Sequence, residues 1–473
     1  MAKPEPARFI LVAYLAFLGV VAFSGGSSRV DAASQPVVRL AAIILLGVLA
    51  VRPADRQRDA DRAGYYFLAA VAVVVAIQLV PLPPALWTSL PGRGHYLGAA
   101  AAAGEVQPWR PINLTPDRGW NALFALLPPI AAFVAARRLR GREQKFALLA
   151  LLAIVMASAA IGLAQVSAGG EDALRFYSAP PTGSAVGLFA NRNHQALLLC
   201  CGIPAFAVWA SIEAHDRARA GLAAAIASGG GVFLVLMIPT TGSRAGLLLG
   251  ALALSISLVI AWPAAKGAVR SLSHTHKRIA AAGAILAMTA LIAAALTFSR
   301  AEAVRRLFAV DPVEDARVRL LRPLFKMIRN FFPVGSGFGS FDPVYRGYEP
   351  FDNLALTVMN KAHDDYLQVA LEAGLPGMAL LAVFIGWWGW NSVRLWRRAD
   401  REFAAYGRLG SVLLLLMLLA SVADYPVRTP LMMVIAAQSA AWMLPSRQRH
   451  ASRSRPDFAV RELELVTNTR GGS

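Results

Sequence analysis

The run FALLALLAIVMASAAIGLAQV, residues 146–166, contains no charged side chain. At about 1.5 Å rise per residue, a helix of that length crosses the roughly 30 Å hydrocarbon core of a bilayer. Hydrocarbon offers no partner for backbone amides, so such a run must satisfy them internally, as a helix. Its apolar character is continuous, without the alternation of a barrel strand. Arg137, Arg138, Arg140 and Arg142 stand just before it. Basic clusters stay on the cytoplasmic side, so 137–145 reads as a cytoplasmic turn between two spans.

Eleven similar runs lie around it, at 9–24, 36–51, 65–82, 119–136, 186–210, 220–239, 243–262, 279–298, 374–393, 409–423 and 429–444. The expected fold is an all-α polytopic membrane protein with about 12 transmembrane helices and one large periplasmic loop, 299–362. The composition agrees. Of 473 residues, 56% are hydrophobic and 16% charged, and the mean hydropathy is +0.50. A soluble domain is about 25% charged. A disordered chain, a collagen and a disulfide scaffold are all excluded. The first run follows Lys3 and Arg8, and Ala22-Phe23-Ser24 resembles a cleavage site. With eleven further runs, it reads as an uncleaved first helix.

The net charge is +19, from 47 Lys and Arg against 28 Asp and Glu. In a soluble protein that surplus would point to nucleic acid. Here, with a cytoplasmic N-terminus, 28 of the 47 fall in cytoplasmic segments, and both termini are expected there. The chain divides into N-terminal helices at 1–184, a core at 185–445 and a basic tail at 446–473. The tail reads as disordered or associated with the membrane surface. The loop 299–362 is itself basic, with ten Lys and Arg against seven acids. Long translocated loops escape the charge rule; the sharper reading is that this loop handles an anion. Cys200 and Cys201 read as small core residues. No metal-binding spacing stands out, and no cofactor is expected.

Four clusters fall on the external side. Gly187 to His194 opens the sixth span, where Asn191 and His194 can cap the helix or contact a polar ligand. Thr240 to Gly246 is a tight turn before the eighth. Arg244 there either snorkels to the interface or joins Ser243 and free amides in a phosphate cradle. Residues 313–332 are amphipathic. At 100° per residue, Leu320, Leu321, Leu324, Phe325, Ile328, Phe331 and Phe332 share one face, opposite Arg319, Arg322, Lys326 and Arg329. Arg317 falls on the apolar face, and an inward arginine needs a partner such as phosphate. Lys361 to Tyr366 leads into the tenth span, with His363 as a base suited to neutral pH and Asp364 and Asp365 suited to a first helical turn. Asp424 and Arg428, in the last external turn, are expected to pair with each other; the second reading has them lining the entrance for the acceptor. The span centres carry no Asp, Glu, Lys or Arg, which counts against a transporter.

These residues resemble the O-antigen ligase and O-antigen polymerase family of bacterial polytopic membrane glycosyltransferases. His363, nine residues between Asp364 and Gly374, and Gly377 follow the family's His pattern, except that Asp364 replaces Asn, Ser or Gln. Thr241-Gly242-Ser243-Arg244 resembles its Ser-Arg turn. Ala316-Arg317, Met327-Ile328 and Pro333 to Phe341 resemble its large loop, and Gly187 to His194 its Gly-x-Phe-x-Asn-x-Asn stretch. The motif-bearing similarity covers about residues 185–378.

The resemblance implies an enzyme of the inner membrane, active at the periplasmic face. It would move a glycan from undecaprenyl pyrophosphate to a hydroxyl of lipid A–core. Alternatives are a polymerase acting on O-antigen or exopolysaccharide, and a protein O-oligosaccharyltransferase; a lipid-linked sugar flippase comes from a different class. Arg244 and Arg317, with Ser243, would hold the pyrophosphate. His363 would take the acceptor's proton; Asp364 would raise its pKa or act as base itself. Partners are the lipid-linked donor, the acceptor glycan and membrane lipids, with no nucleic acid, metal or nucleotide. Inversion at the anomeric carbon is implied by analogy.

Overall fold

The computed structural model describes residues 6–29, 32–51, 59–168, 174–177, 183–271, 312–354, 359–398 and 401–445. Its helices are α1 (Pro6–Ser24), α2 (Ser34–Val51), α3 (Asp59–Ile77), α4 (Pro84–Ser89), α5 (Gly94–Ala102), α6 (Pro116–Phe124), α7 (Leu127–Arg138) and α8 (Arg142–Ser167). Then follow α9 (Arg192–Glu213), α10 (Arg217–Thr240), α11 (Arg244–Ser271), α12 (Pro312–Phe331), α13 (Phe341–Arg346), α14 (Asp365–Arg397), α15 (Arg401–Ala420) and α16 (Pro430–Met443). The described strands are two residues each, β1 (Pro81–Leu82) and β2 (Arg110–Pro111), paired antiparallel. The fold is all-α, as expected.

Seven helices are long and apolar enough to cross a membrane: α2, α6 with α7 as one unit, α8, α9, α10, α11 and α14. Shorter apolar helices lie within α1, α3, α15 and α16. Together they match eleven of the twelve expected runs. The run 279–298 and the tail 446–473 lie outside the described residues.

Helix α9 is the central post. It packs against α8, α10, α11 and α15. Its apolar side chains run around the whole circumference, and Leu197 to Cys201 are all buried. A helix apolar on every face belongs in an interior. Cys200 and Cys201 sit there as free thiols, packed as small apolar groups.

Helix α14 begins nine residues earlier than the expected tenth span. Gly374 explains how one element does both jobs. It takes φ +56° and ψ −144°, outside helical values, and Pro376 follows. A Cβ at Gly374 would stand 2.1 Å from the Pro333 carbonyl oxygen. The stretch before it is a short cap-bearing helix; the stretch after it rises about 34 Å, enough to span.

The glycine-rich loop 333–340 is clamped between that kink and the N-terminal half. Leu375 N–H donates to Pro333 O at 2.8 Å, Ser336 N–H to Leu371 O at 2.9 Å and Gly337 N–H to Glu372 O at 2.9 Å. From the other side, Leu114 N–H donates to Ser336 O at 3.0 Å and Asn113 Nδ2 to Phe338 O at 2.9 Å. Gln78 bridges the two, giving its Nε2 to Glu372 O at 3.0 Å and accepting from Phe338 N–H at 3.1 Å. Behind the loop, Leu320, Leu324, Met327 and Phe331 of α12 bury one ridge against Phe341, Tyr345 and Leu371. Leu321, Phe325 and Phe332, expected on the same apolar face, stay exposed beside the basic residues.

Candidate active site

Three helix ends, far apart in sequence, meet around one carboxylate. Asp424 follows α15 in a turn and is 4% exposed. It accepts from Asn191 Nδ2 at 3.1 Å and from Asn193 Nδ2 at 2.6 Å. His363 Nδ1 lies 3.3 Å from its Oδ1, and His194 Nε2 lies 3.9 Å away. Tyr425 sets its ring edge-on to both imidazoles, with centroids 5.3 Å from His194 and 4.9 Å from His363. The two amides satisfy the buried carboxylate without neutralising it.

Each approach has a local cause. Asn191 caps α9, its side chain accepting from Asn193 N–H at 2.8 Å. That bond leaves the Asn191 amide nitrogen free to reach Asp424. Asp364 caps α14, accepting from Leu367 N–H at 2.9 Å. Burial raises the Asp364 pKa, and its backbone hydrogen bonds to Leu367 and Tyr366 oppose the shift. His363, just before the cap, adopts φ +54° and is the non-glycine residue with positive φ among those described. Such a backbone costs of order 1–3 kcal/mol and persists where surroundings impose it. It turns the imidazole toward Asp424. The 3.3 Å approach lies outside good hydrogen-bond alignment. A proton on Nδ1 facing the carboxylate leaves the Nε2 lone pair for a substrate.

The expected Asp424–Arg428 pair is not what forms. Arg428 turns the other way: its Nε donates to Asp365 Oδ1 at 2.7 Å and its Nη1 to Glu372 Oε2 at 3.2 Å. The physical reason is Glu372, fully buried, which needs a cation more than Asp424 with its two amides does. Burial works against the charge of Arg428, but the carboxylates of Glu372 and Asp365 outweigh it and hold the guanidinium pKa above its ordinary value. Gln368 Nε2 donates to Glu372 Oε1 at 2.9 Å, and Ser421 Oγ to Asp365 Oδ2 at 3.2 Å. Sequence reasoning did not single out Glu372, because the tenth span was drawn from 374. Its signal was a lone acid inside the apolar stretch Val369-Ala370-Leu371-Glu372-Ala373.

Ser243 is 2% exposed and accepts from Gly246 N–H at 3.0 Å, starting α11. Gly246 is pressed against α9: a Cβ there would stand 2.5 Å from Ala196 Cβ. Ala196 is two residues beyond His194, so the turn bearing half-buried Arg244 lies beside the first turns of α9. Arg317 lies within α12, and its side chain is not among those described. The structure thus joins the 191–194, 363–365 and 424–428 clusters directly and sets the 243–246 turn against the same helix end. No group of three or more His, Cys, Asp or Glu placed to hold a metal occurs among the described residues.

A family model described as O-antigen ligase matches residues 229–382, about a third of the chain. The matched stretch includes the 243–246 turn, α12, the glycine loop and His363 to Gly377. Asn191, His194, Asp424 and Arg428 fall outside it. No curated protein matches the chain.

Proposed function

From this O-antigen ligase match as premise, we propose that the protein is a membrane glycosyltransferase. It moves a glycan from undecaprenyl pyrophosphate to a hydroxyl of lipid A–core at the periplasmic face of the inner membrane. The match by itself suggests the coarser class, a ligase- or polymerase-like membrane glycosyltransferase. One observation supports a transfer centre here: a histidine beside a buried carboxylate at the mouth of a helix end.

In the proposed reaction, the acceptor oxygen bonds to the anomeric carbon as the bond from that carbon to the phosphate oxygen breaks. His363 Nε2 takes the hydroxyl proton, and Asp424 steadies the imidazolium that forms. The electron pair leaves with the diphosphate, whose charge Arg244 and Arg317 stabilise. Asn191, His194 and Tyr425 fix the positions of Asp424 and His363. Glu372 and Arg428 lock the start of α14, and with it the histidine.

The test uses purified protein, lipid-pyrophosphate-linked glycan and lipid A–core. Transfer is expected with the wild-type chain and not with His363→Ala or Arg244→Ala. Unchanged transfer by His363→Ala overturns the assignment.

A further inference from the structure

Lys361 stands two residues before His363 and has no part in the transfer just described. It is half-buried, and no described residue gives it a hydrogen bond or an ion pair. Its place is fixed nonetheless. Ala362 N–H donates to Gln368 Oε1 at 3.0 Å, and Gln368 Nε2 binds Glu372 Oε1. The same Glu372 oxygen accepts from Phe341 N–H at 3.4 Å. The next residue, Asp342, holds Arg118 at 3.1 Å and Arg346 at 3.0 Å.

The carboxylates nearest Lys361 are bonded to other cations. Asp342 serves two guanidiniums, and Glu372 with Asp365 serves Arg428. Lys361 forms no ion pair with these carboxylates; Arg428 and Arg118 act on it repulsively, Glu372 and Asp365 attractively. An ammonium without a bonded carboxylate, set among guanidiniums, suits an anion from outside.

We propose that Lys361 and Arg118 form a second anion subsite beside His363, one that takes a phosphate group. For the source of that phosphate the inference rests on the transferase reading. Either the donor diphosphate or a phosphate on the acceptor's core carries the required chemistry. Burial pushes the Lys361 ammonium down to about 8; Arg428 adds to this, Glu372 opposes it, Arg118 adds and Asp365 opposes. A bound phosphate reverses the shift.

The chain has six lysines, so amine labelling reads Lys361 individually. Lys326, exposed on α12, is the internal reference. Full-length protein is labelled with an amine-acylating reagent between pH 7 and 10, and modification is followed by peptide mass spectrometry. The additions are inorganic pyrophosphate, phosphorylated lipid A–core and dephosphorylated lipid A–core. Raising the lysine pKa by about one unit cuts its free-amine fraction at pH 8 about fivefold. That slowing is expected at Lys361 and not at Lys326, and Arg118→Gln should abolish it. Protection by pyrophosphate alone assigns the subsite to the donor; protection by phosphorylated core alone assigns it to the acceptor. If no addition slows Lys361, the inference is overturned. If protection is seen while glycan transfer is absent, the subsite stands and the transferase reading fails.

Discussion

Residues 363 and 424 carry the sharpest expectations. Removing a positioned base costs about 10²–10⁴-fold in rate, so His363→Ala should lose that much kcat with KM changed far less. Asp424→Asn keeps the shape of the carboxylate but not its charge. It should lower kcat at least about tenfold, because the imidazolium is no longer stabilised, while the fold remains. A steady-state kcat and KM series on the two variants checks both. Arg428→Ala is a different kind of change. It leaves Glu372 buried without a cation, a loss of about 3–5 kcal/mol where such pairs are broken. Its thermal unfolding temperature should fall well below wild type, and Arg428→Ala with Glu372→Gln should recover much of the loss. The lone Glu372 was visible in the sequence as an acid among apolar residues, and Arg428 as a cation in a turn. Their pairing was not. Sequence proximity favoured Asp424, four residues from Arg428, and only the fold shows that two asparagines already satisfy Asp424.

At the scale of elements, the helices themselves were readable, because a bilayer demands long apolar runs and leaves little room for alternatives. The start of α14 was legible in Asp364 and Asp365, suited to a first helical turn, whereas the apolar run begins only at 374. Residues 365–373 are too polar for hydrocarbon yet fully helical, and hydropathy sees only the part beyond Gly374. The kink depends on a backbone conformation that hydropathy does not record. Gly374→Ala tests it directly. A side chain there needs φ +56° and meets the Pro333 oxygen, so a cost of about 1–3 kcal/mol is expected. Limited proteolysis should show the 333–341 loop cut faster in the variant, since the loop is bonded to that kink. The amphipathic pattern of α12 was also only half right. Periodicity gave one broad apolar face, whereas the fold buries the ridge of Leu320, Leu324, Met327 and Phe331 and leaves Leu321 and Phe325 outside. A helical wheel gives direction, but not where the neighbouring element ends.

For the molecule as a whole, the charge distribution makes a topological prediction. Segments assigned to the cytoplasmic side, such as 137–145 and 211–219, should face the cytoplasm, and the end bearing His363 the opposite side. Alkaline phosphatase fused after residue 347 should be active, and fused after residue 215 inactive. The reverse pattern would place the histidine in the wrong compartment for a lipid-linked donor.

The reach of the Asn191–Asp424 bond bears on how the chain is made. The two residues are 233 positions apart. At a synthesis rate of about 5–20 residues per second, Asn191 waits on the order of tens of seconds for its carboxylate. During that interval the polar mouth of α9 stands at the membrane with its main partner not yet synthesised. The cap bond to Asn193 N–H, two residues away, is available at once. Asn191 therefore serves two successive roles: it first lets a helix start in an unfinished bundle, then becomes a ligand of the last turn to arrive. A nascent chain halted before residue 424 would hold nearly every helix and still lack the anchor of its histidine.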